Sequence, residues 1–259
     1  MKISIAQMHI AWEDKKANWI KCEAFMQQAK SEGSDVIFFP EMTLTGFSMN
    51  TKVTADMEHE TVDHMRQLLQ KYSLAVGVGW VKRNDEVQKA ENHYTVLDAN
   101  GHILSDYVKI HPFSYGGENM YFTSGDSIKY FQINEFTCSN FICYDLRFPE
   151  IFQIASERAD LIIVPANWPR ARENHWRVLL QARAIENQAY IVGINCVGDI
   201  NGTDYSGCSM VVSPSGEILC EEKDNEKLMT VAIENNVAKI RQQFPVKQDR
   251  KNDEMYNKM

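Results

Sequence analysis

The chain has 259 residues, 44% of them hydrophobic and 24% charged. That balance suits a soluble globular protein with ample material for a core and excludes a disordered chain. The net charge of −8 disfavours nucleic acid and anionic membrane surfaces as partners, and no apolar stretch approaches the roughly 18 residues of a membrane span.

In chain order, short β-branched apolar runs alternate with longer amphipathic stretches. Ile3 to Met8 reads as a strand, and the start of the chain lacks the apolar h-region of a signal peptide, so a cytoplasmic protein is expected. Lys16 to Ser31 reads as a helix that stops at Gly33. Asp35 to Phe39 is a strand, Glu60 to Tyr72 a helix and Ala75 to Val81 a strand. His93 to Leu97 and His102 to Tyr107 flank Asn100-Gly101, a strong hairpin signal. Cys138 to Ile142 is a strand, followed by a helix over Pro149 to Arg158 with proline in its first turn. Leu161 to Val164 is a buried strand ending in Pro165, and Glu173 to Gln188 is a helix. Ala189 to Val197, Ser209 to Ser213 and Leu228 to Ile233 complete the strands, with a turn at Pro214-Ser215-Gly216.

The pattern is that of an α/β protein. Both halves contain a buried strand that ends in proline and then a polar residue, Phe39-Pro40-Glu41 and Val164-Pro165-Ala166-Asn167. This suggests internal pseudo-symmetry, with two sheets back to back and helices outside. No Gly/Ser/Pro-rich linker interrupts the chain, so residues 1–259 are expected to form a single domain. The polar tail 241–259, with its Phe244-Pro245-Val246 anchor, is expected to run along the surface or onto a partner subunit.

Six cysteines and seven histidines are present. The cysteines contain no Cys-x-x-Cys pair, and five of the six are expected to pack as small apolar residues. The histidines form neither a His-x-x-x-His nor a His-x-x-Glu-His pattern, so no zinc site is indicated.

Three apolar runs end on chemically reactive residues. Val36 to Pro40 leads into Glu41, Tyr107-Val108 into Lys109, and Phe141-Ile142 into Cys143. The C-terminal ends of buried parallel strands are where α/β proteins place their sites. A thiol, a carboxylate and an ammonium can act together as nucleophile, proton carrier and oxyanion stabiliser on an amide. Cys143 precedes a helix start and has polar neighbours in Tyr144, Asp145 and Arg147, so an exposed thiol with a lowered pKa is expected. Glu118 lies in a glycine-rich loop, Tyr115-Gly116-Gly117-Glu118, able to approach a pocket closely. Spacing alone does not show that these residues meet.

The segments Phe39-Pro40-Glu41, Val108-Lys109 and Phe141-Ile142-Cys143-Tyr144-Asp145-Leu146-Arg147-Phe148-Pro149-Glu150 resemble the nitrilase, or carbon–nitrogen hydrolase, superfamily. The resemblance spans essentially the whole chain and implies a four-layer αββα sandwich. It assigns Glu41 as general base, Lys109 as oxyanion stabiliser, Cys143 as nucleophile and Glu118 as an auxiliary glutamate. The backbone N–H of Tyr144, next after the cysteine at a helix start, is expected to be a second oxyanion donor. No cofactor or metal is implied, and a homodimer is.

Glu41 to Met49, Pro165-Ala166-Asn167-Trp168-Pro169, His175-Trp176 and Leu180 to Gln188 look like the ω-amidase branch, whose members hydrolyse the side-chain amide of short 2-oxo dicarboxylic acid monoamides such as 2-oxoglutaramate. Deaminated-glutathione amidases share part of these blocks, and nitrilase or N-carbamoyl amine hydrolase activity remains an alternative within the superfamily. A non-catalytic scaffold and a thiol redox protein pairing Cys143 with Cys138 are alternatives outside it. Substrate binding is expected from Arg170 and Arg172 on the carboxylate, with Trp168 and Tyr115 nearby. Arg183 and Glu186 read as an ion pair one turn apart on a helix.

Overall fold

The computed structural model describes residues 1–84 and 86–250. Its strands are β1 (Lys2–Gln7), β2 (Val36–Phe38), β3 (Ala75–Asn84), β4 (Lys89–Leu97), β5 (Ile103–Val108), β6 (Phe122–Thr123), β7 (Phe131–Ile133), β8 (Phe136–Asn140), β9 (Leu161–Ala166), β10 (Tyr190–Asn195), β11 (Val197–Ile200), β12 (Thr203–Val212), β13 (Ile218–Lys223) and β14 (Lys227–Ala232). The helices are α1 (Lys15–Ser31), α2 (Thr51–Thr54), α3 (Glu60–Tyr72), α4 (Glu118–Tyr121), α5 (Pro149–Ala155), α6 (Glu173–Asn187) and α7 (Val237–Gln243).

One sheet has the order β14-β1-β2-β3-β4-β5, with β6 paired to β4; the other runs β11-β12-β10-β9-β8-β7, with β13 paired to β12. In the first sheet β1, β2 and β3 lie parallel and side by side. In the second, β8, β9 and β10 do the same. The halves therefore repeat one scheme, as the two proline-terminated strands suggest.

The period of two along a strand sorts the layers. In β1 and β2, Ile3, Ile5, Val36 and Phe38 point into the space between the sheets and pack with Phe136, Ile162 and Met210 of the second sheet. The alternate residues Ala6, Ile37 and Phe39 face the other way, onto Phe25 and Met26 of α1 and Met65 and Leu69 of α3. Ile151 and Phe152 of α5 and Trp176, Leu180 and Ala184 of α6 cover the second sheet. The result is the expected four layers, αββα.

Several element limits differ from the sequence reading. The strand expected over Ala189 to Val197 breaks at Cys196 into β10 and β11, because Asn195 folds its side-chain carbonyl back onto the Cys196 and Trp168 amides. The helix from Pro149 ends at Ala155, three residues early, where the Ser156 hydroxyl turns back onto the Gln153 carbonyl. β13 was not expected. It is a half-exposed edge strand carrying Glu221, Glu222 and Lys223, so it shows little apolar alternation.

Within the tail, Arg241 donates to the carbonyls of Ala159 and Gln188 and Lys247 to that of Ser156, so residues 241–250 lie over the ends of α5 and α6. Residues 251–259, the remainder of the expected tail, are outside the described residues. Among the described residues no helix is long and apolar enough to cross a membrane, and none of the six cysteines is in a disulfide.

Candidate active site

The chain leaves β2 through Phe39 and Pro40 and presents Glu41 in a turn held on every side. The Phe39 carbonyl accepts from the Tyr94 hydroxyl (3.0 Å), the Pro40 carbonyl from Thr43 Oγ1 (2.6 Å), and the Thr43 amide donates to the Gly79 carbonyl (3.0 Å). This turn presses against β3 so tightly that a Cβ on Gly79 would lie 2.5 Å from the Met42 nitrogen and 2.7 Å from the Pro40 oxygen. Only glycine fits there.

Lys109 follows β5 directly. Its amide donates to the Asn92 carbonyl of β4 (2.9 Å) and its carbonyl accepts from the Gly125 amide (2.8 Å). Glu118 opens α4 just after Gly117, whose φ of 78° is left-handed and suits glycine. Glu41, Lys109 and Glu118 have no solvent exposure. Lys109 Nζ donates to Glu41 Oε1 at 2.8 Å and to the two Glu118 oxygens at 2.9 and 3.1 Å. Asn92 Nδ2 adds bonds to Glu41 Oε1 (2.9 Å) and Glu118 Oε1 (3.0 Å), and the Phe113 amide caps Glu118 Oε2 (2.5 Å).

Burial works to lower the Lys109 pKa, but the charges of Glu118 and Glu41 outweigh it and hold the ammonium well above an ordinary lysine pKa. Glu118 is pushed upward by burial and by Glu41, against the pull of Lys109. A protonated lysine between two carboxylates is thus fixed in the low-dielectric interior.

Cys143 sits in a turn that follows β8 and begins a 3₁₀ helix, Cys143–Arg147. Its φ of 49° is left-handed, a conformation that costs a non-glycine residue about 1–3 kcal/mol and that surrounding contacts must impose. Asp145 imposes much of it. Its buried carboxylate accepts from the Ile142 amide (2.9 Å), the Tyr107 hydroxyl (2.8 Å) and the His111 amide (2.9 Å) and ring (2.8 Å). One side chain therefore ties the cysteine turn to both flanks of Lys109. From the other side Arg183 of α6 donates twice to the Leu146 carbonyl (3.2 and 2.8 Å) while keeping its ion pair with Glu186 (2.8 Å).

Two expectations for Cys143 are corrected. The residue is only 9% exposed: of the polar neighbours that suggested exposure, Asp145 is itself buried, and Tyr144 and Arg147 stand beside the cysteine in the wall of a cavity. Its thiol pKa is raised, not lowered, by burial and then by the Glu41 charge, with Lys109 pulling the other way. The Tyr144 amide lies in the first turn of the 3₁₀ helix, where N–H groups have no intrahelical acceptor.

Sequence reasoning passed over the junction made by Asn167. Its amide N–H donates to Glu41 Oε2 (2.9 Å), its side-chain nitrogen to the Glu41 carbonyl (2.6 Å), and its carbonyl accepts from Cys143 Sγ (3.9 Å). Glu41, at the end of β2, and Cys143, after β8, are thereby joined across the two sheets.

A cavity of about 330 Å³ opens over Cys143, lined by Phe47, Phe113, Tyr144, Arg147, Asn167, Trp168, Pro169, Arg172, Thr203 and Tyr205. Phe47 lies 5.3 Å from Lys109 Nζ, so the ammonium sits just behind this wall. Of the expected substrate-binding residues, Arg172 and Trp168 line the cavity. Arg170 and Tyr115 do not: Arg170 turns away to Asp204 (2.5 Å) and Asp224 (2.6 Å), and Tyr115 is 88% exposed at the tip of its loop. Arg147 takes a place in the wall that the sequence reading gave to Arg170. Trp176 is buried against the second sheet with its indole N–H on the Cys208 carbonyl (2.8 Å). Among the described residues no cluster of His, Cys, Asp and Glu has the makings of a metal site.

An αββα sandwich in which a strained cysteine turn meets a buried carboxylate–ammonium cluster defines the class of cysteine-dependent hydrolases of carbon–nitrogen bonds. The chain belongs to the carbon-nitrogen hydrolase family, which it matches over residues 2–242. It is 31% identical to the 2-oxoglutaramate amidase of Bacillus subtilis (strain 168), over 97% of this chain and 98% of that protein. It is 33% identical to the omega-amidase YafV of Escherichia coli (strain K12), over 96% of each. Among solved structures, XC1258 of Xanthomonas campestris, a CN-hydrolase superfamily protein with an arsenic adduct in its active site, superposes with a TM-score of 0.91 at 28% identity over 97% of both chains.

Proposed function

We propose that this enzyme is an ω-amidase, which releases ammonia from the side-chain amide of a short 2-oxo dicarboxylic acid monoamide such as 2-oxoglutaramate. The observation that carries the reading is the buried Glu41–Lys109–Glu118 cluster, joined to Cys143 through Asn167 at the floor of a small cavity. The similarity to proteins named 2-oxoglutaramate amidase and omega-amidase supports the substrate class.

In this mechanism Cys143 starts as a thiol, so attack needs a base. Glu41 takes the sulfur's proton as the sulfur adds to the amide carbon. The oxyanion is held by the Lys109 ammonium and the Tyr144 N–H. One such donor contributes about 3 kcal/mol. Because Lys109 is already fixed by two carboxylates, no reorganisation is needed when the charge appears. Glu41 returns its proton to the nitrogen, the C–N bond breaks, ammonia leaves and a thioester remains. Water, deprotonated by Glu41, then adds to the thioester, and the acid and the thiol are regenerated. Glu118, whose two oxygens accept from Lys109 Nζ, acts by positioning the ammonium.

A cytoplasmic homodimer suits this reading. Free cysteines fit a reducing compartment. Ile154 of α5, Val178 and Ile185 of α6 and Phe244 of the tail are large exposed apolar residues on neighbouring elements, a surface suited to a second copy. Light scattering of the purified chain measures the assembly.

The decisive experiment is an ammonia-release assay over 2-oxoglutaramate, 2-oxosuccinamate, glutamine, asparagine, deaminated glutathione, an N-carbamoyl amine and a simple nitrile. Turnover of the 2-oxo monoamides, abolished by Cys143→Ala, is expected. In wild-type protein quenched with acid during turnover of a slow amide, mass spectrometry should find an acyl group on Cys143. Turnover confined to the nitrile or the carbamoyl amine, or an adduct on a different cysteine, would defeat the proposal.

A further inference from the structure

Bond by bond, the two buried carboxylates differ. Glu118 accepts at four places: Oε1 from Lys109 Nζ (3.1 Å) and Asn92 Nδ2 (3.0 Å), Oε2 from Lys109 Nζ (2.9 Å) and the Phe113 amide (2.5 Å). A carboxylate has about four acceptor sites, two on each oxygen, so a proton reaches Glu118 only by displacing a donor. Glu41 accepts at three places among the described residues. Lys109 Nζ (2.8 Å) and Asn92 Nδ2 (2.9 Å) both fall on Oε1, while Oε2 takes only the Asn167 amide (2.9 Å). The open acceptor site of the cluster is therefore on Glu41 Oε2. That oxygen faces the Asn167 peptide, whose carbonyl accepts from Cys143 Sγ (3.9 Å).

Asn92 touches every member of the cluster. Its backbone carbonyl accepts from the Lys109 amide (2.9 Å), and its side-chain nitrogen gives one N–H to each carboxylate. The residue is 1% exposed, and its Oδ1 is buried without a partner among the described residues. An unpaired buried acceptor destabilises the fold. The opposite amide orientation would set that oxygen against two carboxylates, so the N–H groups face them despite the loss. Without Asn92, Glu41 and Glu118 would each have an open site on Oε1.

We infer that Asn92 is a positioning residue for the amide-cleaving reaction: with Lys109 it closes Glu41 Oε1, so that the Cys143 proton is received at Oε2, and it closes Glu118 to that proton. The inference rests on the amidase reading and deepens it. Two carboxylates flank one ammonium, yet only one of them has a place for a proton, and that place is on the side of the nucleophile. Asn92 thereby divides the roles of base and support between two chemically identical groups.

The pH profile of kcat/KM tests this in wild type, Asn92→Leu and Asn92→Ser. A carboxylate that loses a donor to its charged form holds a proton more readily. Besides Lys109 and Glu118, the titratable groups that bear on Glu41 are Cys143, Cys196 and Tyr205, and burial pushes the proton loss of all three upward, away from the acid side of the profile. In Asn92→Leu the acid limb should therefore move to higher pH by about half a unit to one unit. Near neutral pH kcat should fall by roughly tenfold to a hundredfold with KM little changed, since Asn92 is behind the reacting groups. The deficit should shrink as pH rises. Asn92→Ser keeps one hydroxyl donor, disturbs the strand less, and should show a smaller shift in the same direction; it carries the test if Asn92→Leu folds poorly. A loss of the same size at every pH, with the acid limb in place, means that Asn92 serves packing alone and overturns the inference.

Alkylation of Cys143 by iodoacetamide, followed by mass spectrometry across the same pH range, separates the two ideas, because it needs the thiol's proton removed but no turnover. A shifted acid limb for alkylation in the Asn92 variants, in a protein that hydrolyses no amide, supports the role of Asn92 and rejects the amidase reading. Amide turnover with both acid limbs unmoved in the variants does the reverse.

Discussion

Asn167 grips Glu41 at two points, from its own amide N–H to the carboxylate (2.9 Å) and from its side-chain nitrogen to the Glu41 carbonyl (2.6 Å), across 126 residues of sequence. The first bond aims the carboxylate; the second fixes the backbone that carries it. Asn167→Ala keeps the first and removes the second, leaving the buried Glu41 carbonyl without that donor. A stability loss of about 1–3 kcal/mol is expected. A fall in kcat of roughly tenfold to a hundredfold should accompany it, since sub-ångström aim of a reacting group is at stake. Urea unfolding and steady-state kinetics check both. An unchanged kcat would mean that the clasp serves folding alone.

The cluster of one ammonium and two carboxylates is unequal by charge, and its members should respond unequally to removal. Lys109→Met leaves Glu41 and Glu118 facing each other in the interior with Asn92 as their shared donor. Breaking a buried pair in this way costs about 3–5 kcal/mol. Glu118→Gln leaves the Lys109–Glu41 pair intact (2.8 Å) and removes only one of two like charges. We expect Lys109→Met to lower Tm much more than Glu118→Gln, although both should lose most activity. Calorimetry on the two proteins decides the order, and equal shifts would show that the Glu118 charge holds the cluster together as strongly as the Lys109 charge does.

Gly79→Ala inserts a methyl group where backbone atoms of the Glu41 turn already stand at 2.5 and 2.7 Å. Backbone on both sides cannot swing away as a flexible side chain would. Overpacking of this kind costs about 1–3 kcal/mol, and here the strain falls on the residue before and the residue after Glu41. Activity should drop further than stability. A Gly79→Ala enzyme with wild-type kcat/KM would show that the turn has more freedom than its contacts suggest.

His93 is buried in β4 between Asp106 (2.9 Å) and Glu91 (3.0 Å). Burial alone would lower its pKa, but the hydrogen bonds and charges of Asp106 and Glu91 outweigh that, and the net shift is upward. Both carboxylates are shifted downward in turn, with Lys82 nearby adding to the effect. A histidine whose folded pKa exceeds its unfolded value of about 6.5 stabilises the fold fully below that value and loses the contribution as pH rises through the folded pKa. The stability gap between wild type and His93→Gln should therefore be larger at pH 6 than at pH 9. A gap that stays constant over that range would indicate a neutral imidazole.

Much of this site is legible in the sequence because parallel strands end on it. Glu41, Lys109 and Cys143 each follow an apolar run, and a reactive side chain after such a run is visible without coordinates. Asn92 is hidden because the strand reading begins only at His93, while β4 starts at Lys89, lies between β3 and β5 and turns the Asn92 side chain onto two carboxylates. Arg147 and Arg170 are exchanged for a different reason. Sequence shows two arginines after Trp168 but not the acidic residues of β12 and the turn before β14 that draw Arg170 away. The state of the Cys143 thiol depends on how much water reaches it, and its polar neighbours give no measure of that.

Helix α6 has two opposed duties. Its outer side shows Val178 and Ile185 to solvent, while Arg183 reaches inward to the Leu146 carbonyl, one peptide away from Arg147 and three residues from the sulfur. A rigid rod that is touched from outside and grips the reacting loop from inside works as a lever. Pressure on that outer side would be passed through Arg183 to the loop that offers the thiol.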